Sequence, residues 1–564
     1  MAELDCDVLV IGGGLAGCWA ALKAKEYAPN VILVDKGKVS RSGISSFAGA
    51  GICCPYPTDD LDDWQRELVK KDEYLADQDW IEILFQEQPK RIREMEEWGV
   101  AFERDEKGNL LRFAAMGRVI TKVVTVSSEQ LMGVMKERLQ ISGVNLLERV
   151  MITSLLTSDG ICPTKGSIIG AYGFNTRSGE SVSINAGATI ICTGGSHFHD
   201  QTGDGIAQAY RAGAELWGME FSDTFDDMGF DEYIGLHLIS FERVGMRLYN
   251  SKGERFMLRY EPELAEMVDR RRLALPVIWE GLAGRGPIYA DFTHLDKKGI
   301  ELLRNLPTIS MRVAAIEREG IDLSKERVKF NVFSGFIRVA GGIKHNIFSE
   351  TSLAGLYVAG HAGMYPAHEP LAFCCVGGYR AGENAARYAL ELGRKQVKIE
   401  QIKDLEEETL RPLKANKGIK PQSLIDRVNK YLSPSTTSIF RNEKNIKAVL
   451  KECEGWEGDT TSLKAMDLHE LVWAAKAKSI VDCVRPVFLS SLEREESRGD
   501  YIRVDYPFRD DVNWLKQVVT RRDEKGIRVR HFPIPIYRYK IKPQKYEKVP
   551  AKILFRLPGV TEGK

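Results

Sequence analysis

The chain has 564 residues, 43% apolar and 28% charged, close to the globular average, which excludes disorder and fibrous repeats. Lysine plus arginine (79) balances aspartate plus glutamate (79), so the overall basic excess of a nucleic-acid binder is missing. A length of this order predicts about three to four ordinary domains, or one large enzyme body with insertions.

Apolar runs such as Val8–Ile11 and Ile190–Cys192 fall far short of the ~20 residues that span a membrane. Met1–Cys6 has no basic, signal-like start, so the expected location is the cytoplasm. The ten cysteines are scattered, with no CxxC pair. That predicts no disulfide framework, no metal site, and no iron–sulfur cluster carried by this chain itself.

In chain order, Asp7-Val-Leu-Val-Ile-Gly-Gly-Gly-Leu-Ala-Gly17 reads as a buried strand running into a glycine turn and a helix. Gly12, Gly14 and Gly17, with Gly13 between them, match the dinucleotide fingerprint GxGxxG. Gly12 allows the tight turn, Gly14 lets backbone approach a pyrophosphate, and Gly17 lets helix pack on strand. The helix start offers free N–H groups to phosphate. Asn30–Asp35 is the second strand, ending in Asp35 at the spacing of a ribose-hydroxyl acceptor. Gly187–Gly195 is another buried strand ending in glycines, followed by Thr202-Gly-Asp-Gly205 and a helix. Leu353–Gly360 is a third, followed by Gly377-Gly-Tyr-Arg-Ala-Gly-Glu-Asn384 and a helix. This order resembles the two-dinucleotide-binding-domain flavoproteins; a second fingerprint for NAD is missing, so the flavin's electrons are expected to come from a substrate or a protein partner.

With these parts the sequence resembles the flavoprotein subunit of the fumarate reductase/succinate dehydrogenase family. The further markers are Arg41–Gly51, Asn250-Ser-Lys-Gly-Glu-Arg-Phe-Met257, Gly284–Asp291, Glu495-Glu-Ser-Arg-Gly-Asp500 and Asp505–Trp514. Gly284–Asp291 and Ser42-Gly43 also resemble the alpha subunit of adenylylsulfate reductase. The resemblance implies FAD as cofactor, held beyond the fingerprint by Lys36, Ser42, Gly43, Gly49 and Gly51. It adds Thr193, Gly194, Gly195, Thr202 and Asp204, then Gly360, His361, Glu369 and Leu371.

The departures bear on chemistry. Membrane fumarate reductases attach FAD through a histidine where this chain has Gly43, so the flavin is expected to be non-covalent. Met219-Glu-Phe221 is followed by Ser222–Gly229 without the family's histidine; Phe336–Ala340, containing Arg338, precedes Gly341-Gly342 where a second histidine is usual. The loop His361–Pro370 lacks the family's arginine. Fumarate and succinate are therefore expected to be poor substrates. By spacing, Arg270 in Arg259–Arg272 takes the place of the proton-donating arginine; a solvated basic helix face and an anion clamp are the other readings of that run. His368 faces the expected flavin position and is a candidate acid or base, with Arg338 as a further candidate. Cys53-Cys54 and Cys374-Cys375 read as small packed residues.

The fold class is α/β: a discontinuous Rossmann-type FAD domain (1–235 and 330–400), an inserted α+β cap (236–329), a helical domain (401–520) and a C-terminal tail (521–564) suited to an edge strand or a partner-binding arm. The leading function is an FAD-dependent oxidoreductase subunit passing electrons between a small, anionic substrate and an iron–sulfur partner, any membrane association running through that partner. Two alternatives compete: an adenylylsulfate reductase-like flavoprotein, and a non-catalytic FAD electron-transfer subunit.

Overall fold

The computed structural model describes residues 1–551 apart from 47–49, 115–117, 197–200, 223–227, 231–233, 237–244, 269, 306–309, 331–338, 366–368, 434 and 500. Its centre is a sheet begun by the strand Ala2–Ile11, which pairs in parallel with Val31–Asp35 on one side and Ser181–Ile191 on the other. Asn145–Glu148 extends it beyond Val31–Asp35. Ser181–Ile191 is long enough to serve two more partners along its other edge. Its first half pairs with the antiparallel hairpin Val150–Thr157/Ile168–Asn175, and its last residues pair in parallel with Leu356–Val358.

Side-chain alternation assigns each strand residue to one of two cores. Val8, Val10, Val31 and Leu33 pack under the helices Leu15–Tyr27, Ser128–Ser142 and Pro370–Leu392. Leu9, Ile11, Ile32 and Val34 face Asp204–Ala212 and the C-terminal helices. Both faces are covered, which is why these strands read as continuous apolar runs.

The segment from 246 to 330 has its own core. Arg247–Tyr249, Ile288–Asp291 and Val328–Phe330 form a three-stranded antiparallel sheet. Helices Arg270–Leu282, Lys297–Asn305 and Ser310–Arg318 pack beside it through Leu273, Leu303 and Ile316. Phe440 and Ile502 from the C-terminal half enter this same core.

Helices Ile399–Lys414, Pro421–Leu432, Glu443–Thr461 and Leu468–Glu493 follow. A helical domain was expected over 401–520; after Glu493 the described residues add one short helix, Asp511–Trp514. Lys516–Asp523 and Gly526–Pro533 are a hairpin whose first strand pairs with Leu216–Trp217. Val518, Val519 and Thr520 are buried, and β-branched residues of this kind suit a pleated surface. Gly526–Pro533 is an edge strand, as read, but Ile534, Ile536, Tyr539 and Ile541 are buried on the chain's own body. Gln78 clamps that stretch, donating to the Ile541 carbonyl at 2.5 Å and accepting from its N–H at 3.1 Å.

A buried ionic network ties the C-terminal half to the sheet domain. Arg494 donates to Glu220 and to Glu496, each at 2.8 Å. Arg498 grips both oxygens of Glu496 at 2.7 and 2.8 Å and donates to Asp511 at 2.9 Å. All five side chains are sealed from solvent. Burying charge is tolerable only where geometry and hydrogen bonding are complete, and removing one partner of such a pair costs about 3–5 kcal/mol. Arg498→Met should therefore lower the unfolding free energy by an amount approaching that range, because it leaves Glu496 with Arg494 as its one arginine and Asp511 with Arg509; an unchanged denaturant midpoint would assign the network no part in stability.

Candidate functional site

The parallel strands end in glycines at one crevice. Gly12 sits at φ +107°, where an added Cβ would lie 2.5 Å from the Cys192 carbonyl oxygen. A Cβ on Gly17 would lie 1.8 Å from the Gly12 carbonyl oxygen, so glycine here is what lets the helix rest on the turn. Gly14 differs. Its added Cβ would meet only Ser45 Oγ at 3.4 Å, leaving room beside the helix start. That helix has no side-chain cap, and the Leu15 N–H donates to Ser45 Oγ at 3.2 Å. Unpaired first-turn N–H groups and the positive dipole end together suit an anion.

Asp35 does more than its spacing suggested. One oxygen accepts the Gly13 N–H at 2.7 Å, the other the Gly37 N–H and the Ser42 hydroxyl, both at 2.7 Å. The carboxylate thus shapes the glycine turn and keeps acceptor capacity for one more donor, such as a ribose hydroxyl.

The second strand end contributes Thr193, which accepts the Gly205 N–H at 3.2 Å, and Gly194 at φ +78°. The Gly195 N–H donates to Gln201 at 3.3 Å. Asp204 accepts from Lys36 and from Thr202, each at 2.6 Å. Burial pushes the Asp204 carboxyl up, and Lys36 with Thr202 more than offsets it, holding the group below the usual carboxylate range. At the third strand end Gly360 has φ +65°, and its added Cβ would lie 2.8 Å from Ala16 Cβ. A Cβ on Gly195 would lie 3.6 Å from the His361 ring. Gly12–Gly17, Gly194–Gly195 and Gly360–His361 are therefore brought together at the carboxyl ends of parallel strands, where open α/β sheets bind ligands. Leu371 lies in the first turn of Pro370–Leu392, and Glu369 is that helix's N-cap residue. Gly43 is at φ +90° with no atom within 4 Å of an added Cβ, and Gly51 lies in the strand Ala50–Cys53 against Val123.

The catalytic candidates fare differently. His368 and Arg338, with Gly49, lie outside the described residues; Arg270 opens the helix Arg270–Leu282, but its side chain lies outside them too. Arg272 is ion-paired with Glu261. Cys53, Cys54 and Cys375 are buried, and burial pushes the Cys54 and Cys374 thiols up to about 12, as packing residues require. Sequence reasoning missed Arg118, which is ion-paired with Glu369. An isolated loop arginine carries no pattern that could have revealed it.

Residues 7–369 match the family model of the FAD binding domain, and residues 432–547 match that of the fumarate reductase flavoprotein C-term. A fumarate reductase (CoM/CoB) chain of Methanothermobacter marburgensis is 29% identical, over 92% of this chain and 97% of that protein. An FAD-dependent oxidoreductase of Methanocaldococcus jannaschii, itself uncharacterized, is 30% identical over 89% of this chain and 94% of its own length. Among solved structures, a variant of FrdA from the E. coli quinol fumarate reductase aligns with TM-score 0.85 at 22% identity, covering 97% of this chain and 99% of that one. An adenosine-5-phosphosulfate reductase holding sulfite aligns at 0.81 and 20%, covering 94% and 96%; at such identities the shared feature is the fold.

The glycine geometry separates two substitutions. Gly14→Val should leave the far-UV circular dichroism unchanged while stripping the protein of its flavin absorbance, since the new side chain fills the space beside the helix start. Gly17→Ala should instead cost the fold, seen as loss of soluble, cooperatively unfolding protein. The acid limb follows from Asp204. A carboxyl depressed in the folded state contributes stability that is present above its ordinary pKa and lost as pH falls through the folded value. Thermal midpoints should hold from pH 7 to 5 and fall below about pH 4, with Asp204→Asn weakening that acid-dependent fall.

Proposed function

The chain belongs to the FAD-binding family of fumarate reductase and succinate dehydrogenase flavoproteins, and on that premise we propose that this FAD-dependent oxidoreductase moves electrons between a small anionic substrate and an iron–sulfur partner. The observation that carries the reading is the crevice where three strands end in glycines beside the uncapped start of Leu15–Tyr27. Gly12 and Gly17 close the turn, Gly14 keeps space for phosphate, and Asp35 retains one acceptor position, so the residues present fit FAD. Bound FAD supplies the two-electron redox chemistry.

The chain's own residues supply the rest. Lys36, Ser42, Thr193, Thr202 and Asp204 order the loops around the cofactor, while Gly360, His361 and Leu371 line the far side. Gly43 offers no nucleophile, so FAD is held without a covalent bond. Arg270 is the candidate for gripping substrate oxygens, a task that suits a planar guanidinium, and Arg270, His368 or Arg338 for delivering the proton. Residues 236–329 act as a cap that excludes water over the FAD domain built from 1–235 and 330–400. An iron–sulfur partner is supported by the sequence, which has no CxxC pair and no second nucleotide fingerprint. Among the described residues no helix is long and apolar enough to cross a membrane. The adenylylsulfate reductase-like and non-catalytic readings gain no comparable support, since the C-terminal match is to the fumarate reductase flavoprotein model.

Acid precipitation should release all flavin to the supernatant, and a yellow pellet would overturn non-covalent binding. Purified under native conditions, the protein should arrive with a cysteine-rich, iron-containing partner, and the pair should reduce fumarate only weakly. Brisk fumarate reduction would show that the missing histidines are replaced in kind.

A further inference from the structure

Arg118 is held in an unusual way for a loop residue. The carboxylate of Glu67, on the helix Leu61–Lys71, accepts three successive backbone N–H groups, from Val119 at 2.7 Å, Ile120 at 3.0 Å and Thr121 at 2.7 Å, and the Thr121 hydroxyl at 2.7 Å. Val119 is 84% exposed, yet the Arg118 side chain beside it is only 8% exposed. The loop is thus pinned from outside while its arginine is driven inward. Its partner there is Glu369, whose side chain is 6% exposed.

Glu369 is the N-cap residue of Pro370–Leu392, but its side chain makes no cap hydrogen bond. It turns to Arg118 and leaves the helix start open. Nη1 of Arg118 and Oε1 of Glu369 are taken up by that ion pair, but Nε of Arg118, though buried, has no hydrogen-bond partner among the described residues. A buried donor left in this condition is costly, so it points to an acceptor atom on a ligand. The second turn of the same helix lies against the glycine crevice: an added Cβ on Gly360 would meet both Ala16 and Cys374.

We propose that Arg118, held in place by Glu369, donates through Nε to a carbonyl oxygen at the imide edge of the flavin ring, and that the pair sets the ring's reduction potential. The inference rests on the FAD reading above. Two-electron reduction adds negative charge to that side of the ring. A cation there favours the reduced form and an anion disfavours it, so the two residues act with opposite signs. Glu67 is a positioning residue, acting only through the loop.

The test is spectroelectrochemical titration of the flavin in the purified full-length protein. Arg118→Gln should make the potential more negative, and Glu369→Gln more positive, each by at least tenfold in the oxidised-to-reduced ratio, about 30 mV for a two-electron couple. The double variant should lie between them. Arg118→Lys should keep the potential near that of the parent while weakening FAD retention, since it keeps the charge and loses the fork. Should Arg118→Gln fail to fold, Glu369→Gln and Arg118→Lys still decide the matter. Potentials that stay put in variants that bind flavin, or that move in the same direction for both charges, would overturn the pair's role. Parent protein that neither carries nor takes up FAD would overturn the cofactor reading instead.

Discussion

Two helices touch backbone to backbone, and the site depends on that contact. An added Cβ on Gly378 would lie 2.5 Å from the Ala16 carbonyl oxygen, and one on Gly382 would lie 2.3 Å from that of Ala20. No larger residue permits such approach without moving a helix. The contact sets the third turn of Pro370–Leu392 beside the first turn of Leu15–Tyr27, joining segments more than 350 residues apart in sequence. Because Gly378 meets Ala16 and Gly382 meets Ala20, the two helices run parallel, and both N-termini point toward the carboxyl ends of the same strands.

The sealed ionic network solves a different problem. The C-terminal helices must lie in one register on a sheet whose apolar face would accept many. Hydrophobic burial is non-directional, whereas Arg494 and Arg498 fit one arrangement of Glu220, Glu496 and Asp511. Arg441 extends the arrangement without touching a carboxylate, donating to Ser222, Ser491 and the Glu220 carbonyl, and burial pulls its pKa down to about 10. Because Glu220 and Ser222 follow directly on Leu216–Trp217, the network fixes the chain at the point where it leaves the sheet domain. Phe440, next to Arg441, and Ile502, four residues after Arg498, anchor the core of the inserted segment.

Electrostatics around the crevice follow one pattern. Each acid is matched to backbone or to a cation that also orders a loop: Asp35 shapes the glycine turn, Asp204 binds Lys36, Glu67 pins residues 119–121, and Glu369 meets Arg118. A site arranged this way is organised before its ligand arrives, so binding energy is not consumed in ordering loops.

The sequence by itself determined the parts whose signal is local. A strand, GxGxxG, a helix and a terminal Asp35 lie within about 30 residues, the span of a dinucleotide-binding unit, and each glycine there answers to a steric demand set by its neighbours in the chain. The strand ends at Gly194–Gly195 and Gly360 were legible for the same reason, as was the edge strand Gly526–Pro533. The end of the helical domain was less legible, because charged residues at helical spacing also suit a hairpin, and Lys516–Asp523 pairs with Leu216–Trp217. The tail's burial against Gln78, the network around Glu496 and the meeting of Arg118 with Glu369 had no local signature. Each joins residues far apart in the chain, and a charged residue carries no mark of its partner. Only the tertiary fold decides which charges share a dry interior, because burial is what makes an ion pair specific.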